Sequence, residues 1–210
     1  ERFTRYEFRS RGNRGLCATL NEAIEWCEGE FITIIASDDI MYENKIHSQV
    51  VEFKKRKVEC PSLVAIYAGV DFIDEHDEVI GSKNGGGKFC DFDDVILRGD
   101  FLPTPTFMVL RKALLDAGCF DESFLVEDLY IRLRLTDLGG VFYVMPEPLV
   151  KYRRHDDNLS KKSDLIWQEV CSILKQYEHK TIFKKALKEL FSHNITLHRL
   201  TLSSNFNERH

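Results

Sequence analysis

Five apolar or β-branched residues in a row, Phe31–Ile35 (FITII), run directly into Ala36-Ser37-Asp38-Asp39. A run this short and this apolar predicts a strand covered on both faces, in the middle of a sheet. It also predicts where chemistry sits, because ligands of open α/β sheets bind outside the carboxyl ends of strands. Here that end carries two adjacent carboxylates. Upstream, Leu16, Leu20, Ala23, Ile24 and Cys27 recur at helical spacing before Gly29, and downstream Ile46, Val50 and Phe53 mark a helix over Asn44–Lys57. Leu63–Tyr67 is the next buried strand, and Val70–Ile80 reads as a hairpin turning near His76-Asp77. Helix, strand, helix, strand predicts an α/β class with a mainly parallel sheet flanked by helices.

The second half is less regular. Lys83–Lys88 (KNGGGK) reads as a flexible loop without the phosphate-loop pattern, and Asp91–Leu97 as a short helix. Phe107–Leu110 predicts a strand, Lys112–Ala117 a short helix stopped by Gly118, and Glu127–Leu138 a longer one ended by Gly139-Gly140. Val141–Val144 and Leu149–Tyr152 read as two short strands kept apart by Pro146 and Pro148. From about Ser163 the pattern is wholly helical, with a last helix over Ile182–Leu200. The polar stretch Asp156–Asp164 marks the best boundary, giving an α/β part over 1–161 and a helical extension over 162–210.

Composition removes several classes. The chain has 29 Lys+Arg against 34 Asp+Glu, a formal charge of −5, which lacks the dense basic field of non-specific nucleic-acid binding. No apolar run approaches the roughly 20 residues of a membrane span, and no signal-peptide pattern opens the chain. The six cysteines form no C-x-x-C pair and are widely spaced, which fits free thiols in a reducing compartment. A soluble, cytoplasmic protein is the expectation.

Three constellations carry possible chemistry. Asp38-Asp39 offers hard oxygen ligands of the kind that hold Mg²⁺ or Mn²⁺ jointly with substrate phosphates; the alternative is that either acid caps a turn. Glu127-Asp128 opens a predicted helix, where acids are favoured by the macrodipole, yet a carboxylate there also suits a general base. Tyr152-Arg153-Arg154-His155, followed by Asn158 and Ser160, reads either as a diphosphate clamp or as a solvated basic edge. Asn13-Arg14-Gly15 before the first helix suits the approach of a phosphate to backbone N–H groups, and equally a plain turn.

The order of these pieces resembles the family 2 glycosyltransferases, the large inverting group with the GT-A fold. Asn13-Arg14-Gly15-Leu16, Asn21, Gly29-Glu30-Phe31-Ile32 and Ser37-Asp38-Asp39 look like that family's N-x-G … N … GEYI … DD run. Leu110-Arg111-Lys112, Gly118-Cys119-Phe120-Asp121-Glu122 and Glu127-Asp128 resemble its R-[RK] … G-G-F-D-E … E-D run. Tyr152-Arg153, His155, Asn158 and Ser160 are similar to its closing Y-R-x-H-x-x-N-x-S segment. The resemblance implies a Rossmann-like GT-A fold, a nucleotide-sugar donor, a Mn²⁺ or Mg²⁺ ion, and inversion at the anomeric carbon. It casts Asp39 as the metal ligand and Asp38 as a metal or ribose contact. Asp128, beside Glu127, becomes the base that deprotonates the acceptor hydroxyl. Arg154 and His155 face the diphosphate, His155 being a further metal contact, and Asn13, Gly15 and Ser160 contribute to donor binding.

Two departures from the family pattern set further expectations. Ala36 replaces the first acid of the usual D-x-D-D motif. The family's opening strand–helix–strand element, which grips nucleobase and ribose, is not found here, so this piece alone is expected to be inactive. The leading reading is an enzyme of cell-surface polysaccharide synthesis acting on a glycan or lipid-linked acceptor. A degenerate GT-A-like scaffold is the runner-up, and a metal-dependent nucleotidyltransferase or phosphatase a third reading. Lys180, Lys184, Lys185 and Lys188 beside Phe183, Leu187, Leu190 and Phe191 form a basic amphipathic stretch. It suits either peripheral contact with the inner face of a membrane or packing on the catalytic part or on a second subunit of a homodimer.

Overall fold

The computed structural model describes residues 5–98, 102–154 and 163–190. Its centre is a pair of long parallel strands, β3 (Leu63–Ile73) and β7 (Val141–Arg153), in register from Leu63↔Val141 to Ile73↔Arg153. In β3, Ala65, Ile66, Tyr67 and Ala68 are all buried. A strand so apolar on alternate and adjacent positions needs cover on both faces. One face meets α2 (Lys45–Glu59), whose Phe53 packs with Leu63, Ile66, Met108 and Met145. The other meets α1 (Leu16–Trp26), α3 (Phe92–Arg98) and α5 (Glu127–Asp137), which bring Ile24, Val95, Ile131 and Leu135 onto Ala65, Tyr67 and Phe142.

The remaining strands are β1 (Phe31–Thr33), β2 (Ile40–Met41), β4 (Val79–Lys83), β5 (Lys88–Cys90) and β6 (Met108–Leu110). The order across the sheet is β1-β6-β3-β7-β2, with β4 on β3 and β5 on β7. The α/β class expected from sequence is present, but the sheet is mixed rather than mainly parallel: among the described residues only β3 and β7 pair in parallel. The reason is an insertion. β6 lies antiparallel between β1 and β3, so those two strands point the same way without touching. The helix crossover and the strand at Phe107–Leu110 were legible in the pattern; the antiparallel place that strand takes between β1 and β3 was not.

Two further elements differ from the sequence expectation. Phe31–Ile35 is not a central strand: only Phe31–Thr33 pair, at one end of the strand order, and only Ile32 is fully buried. Ile34 and Ile35 leave the ladder to line a cleft, so their apolar character serves a cavity wall. Conversely, Pro146 and Pro148 do not separate two strands. β7 runs through them, with register shifts on either side of Gly69 that absorb the missing N–H donors. Gly69 is needed there, because a Cβ would lie 2.7 Å from the Lys83 carbonyl oxygen and 3.1 Å from that of Pro146.

The hairpin expected near His76-Asp77 forms between β3 and β4, with Asp74 Oδ1 accepting the N–H of His76 at 2.8 Å and of Glu78 at 3.0 Å. Asp77 takes the left-handed conformation the turn demands (φ 67°). α4 (Arg111–Asp116) also falls where expected. After the gap, α6 (Ser163–Lys175) and the helical residues 183–190 share the core of the sheet. Ile173, Leu174, Tyr177 and Ala186 are buried in it, with Phe183, Leu187 and Leu190 packed alongside. The apolar face of this stretch is therefore occupied within the molecule. The expected boundary at 161/162 and the helix beyond residue 190 lie outside the described residues. All six cysteines are free thiols, and no helix among the described residues is long and apolar enough to cross a membrane.

Candidate active site

Because β1, β3 and β7 share one direction, their carboxyl ends meet at one edge of the sheet. A cleft of ≈ 580 Å³ opens there, within the size range of small-molecule sites. Its walls come from the β1 end (Ile34, Ile35, Ala36, Asp39), the β3 end (Phe72), the β7 end (Tyr152, Arg154), and the start of α5 (Glu127, Asp128). Asp39 and Asp128, far apart in sequence, thus line a single cavity. The Tyr152 phenol reports the same convergence. Burial raises its pKa, the charges of Asp39, Asp38 and Asp128 push it the same way, and Arg154 opposes them.

The Asp38-Asp39 turn is held from the neighbouring strand. Asp39 Oδ1 accepts the backbone N–H of Arg153 at 2.9 Å, and the Asp38 carbonyl accepts from Arg153 Nε at 2.9 Å. The same guanidinium donates to the Asp74 carbonyl at 2.5 Å and pairs with Asp77. Arg153 therefore ties the acidic turn to the β3–β4 hairpin. Arg154, next in the chain, is exposed; its guanidinium lies 4.5 Å from the Phe72 ring centroid and 5.2 Å from that of Tyr152. Stacking uses the face of the guanidinium and leaves its N–H edge for an anion.

The second acid pair stands at the start of α5. Asp128 Oδ2 accepts the Thr104 hydroxyl at 2.6 Å and lies 2.9 Å from Arg132 Nη2, while Oδ1 accepts the Leu129 N–H at 2.7 Å. Burial alone would raise this carboxyl, but Arg132, Thr104 and the Leu129 N–H together hold it below the usual range. Glu127 goes the other way: burial, reinforced by the Asp128 charge, pushes it up to about 7. Two adjacent acids are thus driven apart, the pattern that separates proton-donating from proton-accepting roles.

α1 and the segment before α5 complete the frame. Asn21 pairs with Phe120 in both directions, its amide donating to the Phe120 carbonyl and its Oδ1 accepting the Phe120 N–H, each at 2.9 Å. This fixes the Gly118–Glu122 stretch against the helix that supplies Leu16 and Leu20 to the cleft. Gly15 caps α1 with φ 89°, and Asn13 Oδ1 accepts its N–H at 2.9 Å. Asn13 itself borders a separate depression formed by residues 7–14 and the outer face of α1. It is not brought to the cleft that holds Asp39 and Asp128. His155 and Ser160 lie outside the described residues.

Sequence reading missed Thr104, Tyr67 and Arg132. A signal was present for the last: Arg132 lies four residues after Asp128 and directly between Ile131 and Leu133, so its charge falls within a buried stretch of α5. Nothing in the sequence singled out Thr104 or Tyr67.

With fold and cleft in view, the comparisons give the class. The family model described as glycosyl transferase family 2 matches residues 3–118, and the chain belongs to that family. Among individual relatives, it is 25% identical over 179 residues to the amylovoran biosynthesis glycosyltransferase AmsE of Erwinia amylovora, covering 82% of this chain and 62% of that one. In structure it matches S. aureus TarS 1–349 in complex with UDP-GlcNAc at TM-score 0.61 and 14% identity, over 85% of this chain and 53% of TarS 1–349. The structure of TarS 1–349 alone gives TM-score 0.59. These matches establish the GT-A architecture, and the chain spans less than two thirds of the length of either relative.

Proposed function

We propose that this chain carries the catalytic half of an inverting glycosyltransferase, moving a sugar from a nucleoside diphosphate sugar to a hydroxyl of a growing glycan. The observation that carries the reading is that Asp39, from the end of β1, and Asp128, from the start of α5, line one cleft at the carboxyl edge of the sheet. Inversion requires the acceptor to attack from the face away from the departing diphosphate, so the proton acceptor and the diphosphate-binding groups must stand apart. Asp128, held ionised, receives the acceptor's proton. Arg154, stacked on Phe72, presents its N–H edge to the diphosphate, with His155 beside it in sequence. Asp38, on the same turn as Asp39, and Ser160, further along the chain, complete the donor contacts in this reading; Asn13 and Gly15, which do not line this cleft, take no part in it.

The donor set also fits a divalent ion. The described residues contain no cluster of three or more potential ligands but do hold adjacent carboxylates at Asp38 and Asp39. That pair suits Mn²⁺ or Mg²⁺ shared with substrate phosphates rather than a closed protein cage. Such an ion would neutralise charge developing on the leaving diphosphate, and Ala36 in place of a further acid makes it more dependent on the donor. The name of the amylovoran relative supports a cell-surface polysaccharide as the product. Membrane contact through residues 183–190 is no part of this reading, since their apolar face is spent on the core.

The test uses the purified protein, a panel of nucleotide sugars and Mn²⁺. Asp128→Asn is expected to lower kcat by about 10²–10⁴-fold, the usual contribution of a positioned base, without weakening donor binding measured by calorimetry. Transfer at the wild-type rate by Asp128→Asn would overturn the assignment.

A further inference from the structure

We propose that Arg132, which belongs to none of the acidic or basic motifs, is the positioning residue for Asp128, acting jointly with Thr104 and Tyr67. The inference rests on the reading of Asp128 as base. Its geometric ground is a closed relay. Arg132 has only 5% of its side chain exposed. Its Nη2 donates to the Thr104 hydroxyl at 2.6 Å, which in turn donates to Asp128 Oδ2 at 2.6 Å. The same Nη2 lies 2.9 Å from that carboxylate oxygen, and Nε donates to the Tyr67 hydroxyl at 3.2 Å. Tyr67 is itself fully buried on β3 and stacked on Phe107, with ring centroids 5.1 Å apart.

Each link removes a degree of freedom. A carboxylate on a first helical turn normally swings between rotamers. Here Oδ2 is held by two donors and Oδ1 by the Leu129 N–H, so both oxygens have fixed directions before any acceptor arrives. The relay spans three elements that the sequence places far apart: β3, the 3₁₀ turn Thr104–Thr106 and α5. It also explains a buried arginine that would otherwise only cost desolvation energy. Among the described residues, the charged and titratable groups around Asp128 are Glu127 and Arg132 on its own helix, Tyr67 on β3 and, across the shared cleft, Asp39, Lys83 on β4, and Tyr152 and Arg154 on β7. Of the cations, Arg132 is the one in direct contact with the carboxylate, at 2.9 Å, so it is the one that favours the ionised form of Asp128.

Arg132→Met separates positioning from folding. The first arm needs no activity: the Asp128 carboxyl is titrated by NMR in the wild-type chain, Arg132→Met and Arg132→Lys. Removing the cation leaves burial dominant, so Asp128 should titrate above the ordinary carboxylate range in Arg132→Met and return downward in Arg132→Lys. If Arg132→Met does not fold, Thr104→Val, which keeps the side-chain shape, should move the same titration upward by a smaller amount. The second arm is kinetic, on the complete protein. kcat falls by about 10²-fold, as for a misplaced catalytic group, while KM for the donor is unchanged, and the acid limb of the pH profile moves to higher pH. An Asp128 titration that stays put in the folded variant, or a fall in kcat with an unmoved acid limb, overturns the proposal. A wild-type rate in Asp128→Asn would instead remove the base assignment and leave the titration result standing, so the two failures are distinguishable.

Discussion

The two acidic walls of the cleft are built by opposite means. Asp39 sits on a turn beyond a three-residue strand at the end of the sheet order, where it accepts the backbone N–H of Arg153 on β7. Asp128 sits on a helix against the core, fixed by a buried side-chain cation and a hydroxyl. A backbone donor orients a carboxylate without bringing a countercharge of its own. A buried guanidinium both orients and stabilises the charge, so the acid stays ionised in a poorly hydrated place. The first arrangement suits an acid that has to meet a cation and diphosphate; the second suits one that has to stay deprotonated.

Breaking the buried wall should cost the most. Arg132→Met strands the Asp128 charge, and the loss should be about 3 kcal/mol at neutral pH by denaturant unfolding, as for other buried pairs deprived of one partner. The sign with pH follows from the shift. In the wild type the Asp128 carboxyl lies below its unfolded value, so its contribution is present above about pH 4 and is lost as pH falls through the folded value. The deficit of Arg132→Met should accordingly shrink on acidification, where the stranded group takes up a proton.

The turn-built wall should yield less. Arg153→Met removes the contacts to Asp38, Asp74 and Asp77 but keeps the backbone N–H that holds Asp39. About 2 kcal/mol of stability should be lost, while the Arg153 amide stays protected in hydrogen exchange. Loss of that protection would mean that the side chain, not the strand, places the acidic turn. The smallest effect is expected at Glu127, next to Asp128 at the start of α5. Its raised pKa of about 7 favours the fold when the group is protonated, a benefit lost as pH rises from its unfolded value toward 7. Glu127→Gln should therefore stabilise the protein by on the order of 1 kcal/mol above pH 7 and change little below pH 4, as measured by thermal unfolding across that range.

Legibility followed the same division. α1, α2, α4 and α5 lay within a residue or two of the apolar spacing, and the hairpin turn was marked by His76-Asp77. The Asp38-Asp39 and Glu127-Asp128 pairs stood out because charged residues abut apolar runs. Arg132 was marked only by its four-residue spacing from Asp128, a weak signal, because a charge inside a helical stripe looks like a surface position until its neighbours from other elements are known. The antiparallel insertion of β6, and the passage of β7 through Pro146 and Pro148, were equally hidden. Both depend on which strands become neighbours, and three apolar residues such as Met108–Leu110 carry no direction.

What the amino-acid order determined alone was the supply of parts: helices from their spacing, buried strands from their branched residues, and two acid pairs at element ends. What only tertiary structure decided was adjacency. Strands β1, β3 and β7 share a direction, so their ends gather Asp39, Tyr152 and Arg154 at one edge, and the packing of α5 on β3 brings Arg132 and Tyr67 together behind Asp128. Periodicity is a property of a few consecutive residues. The field around a carboxylate is summed over groups that the chain joins only by folding.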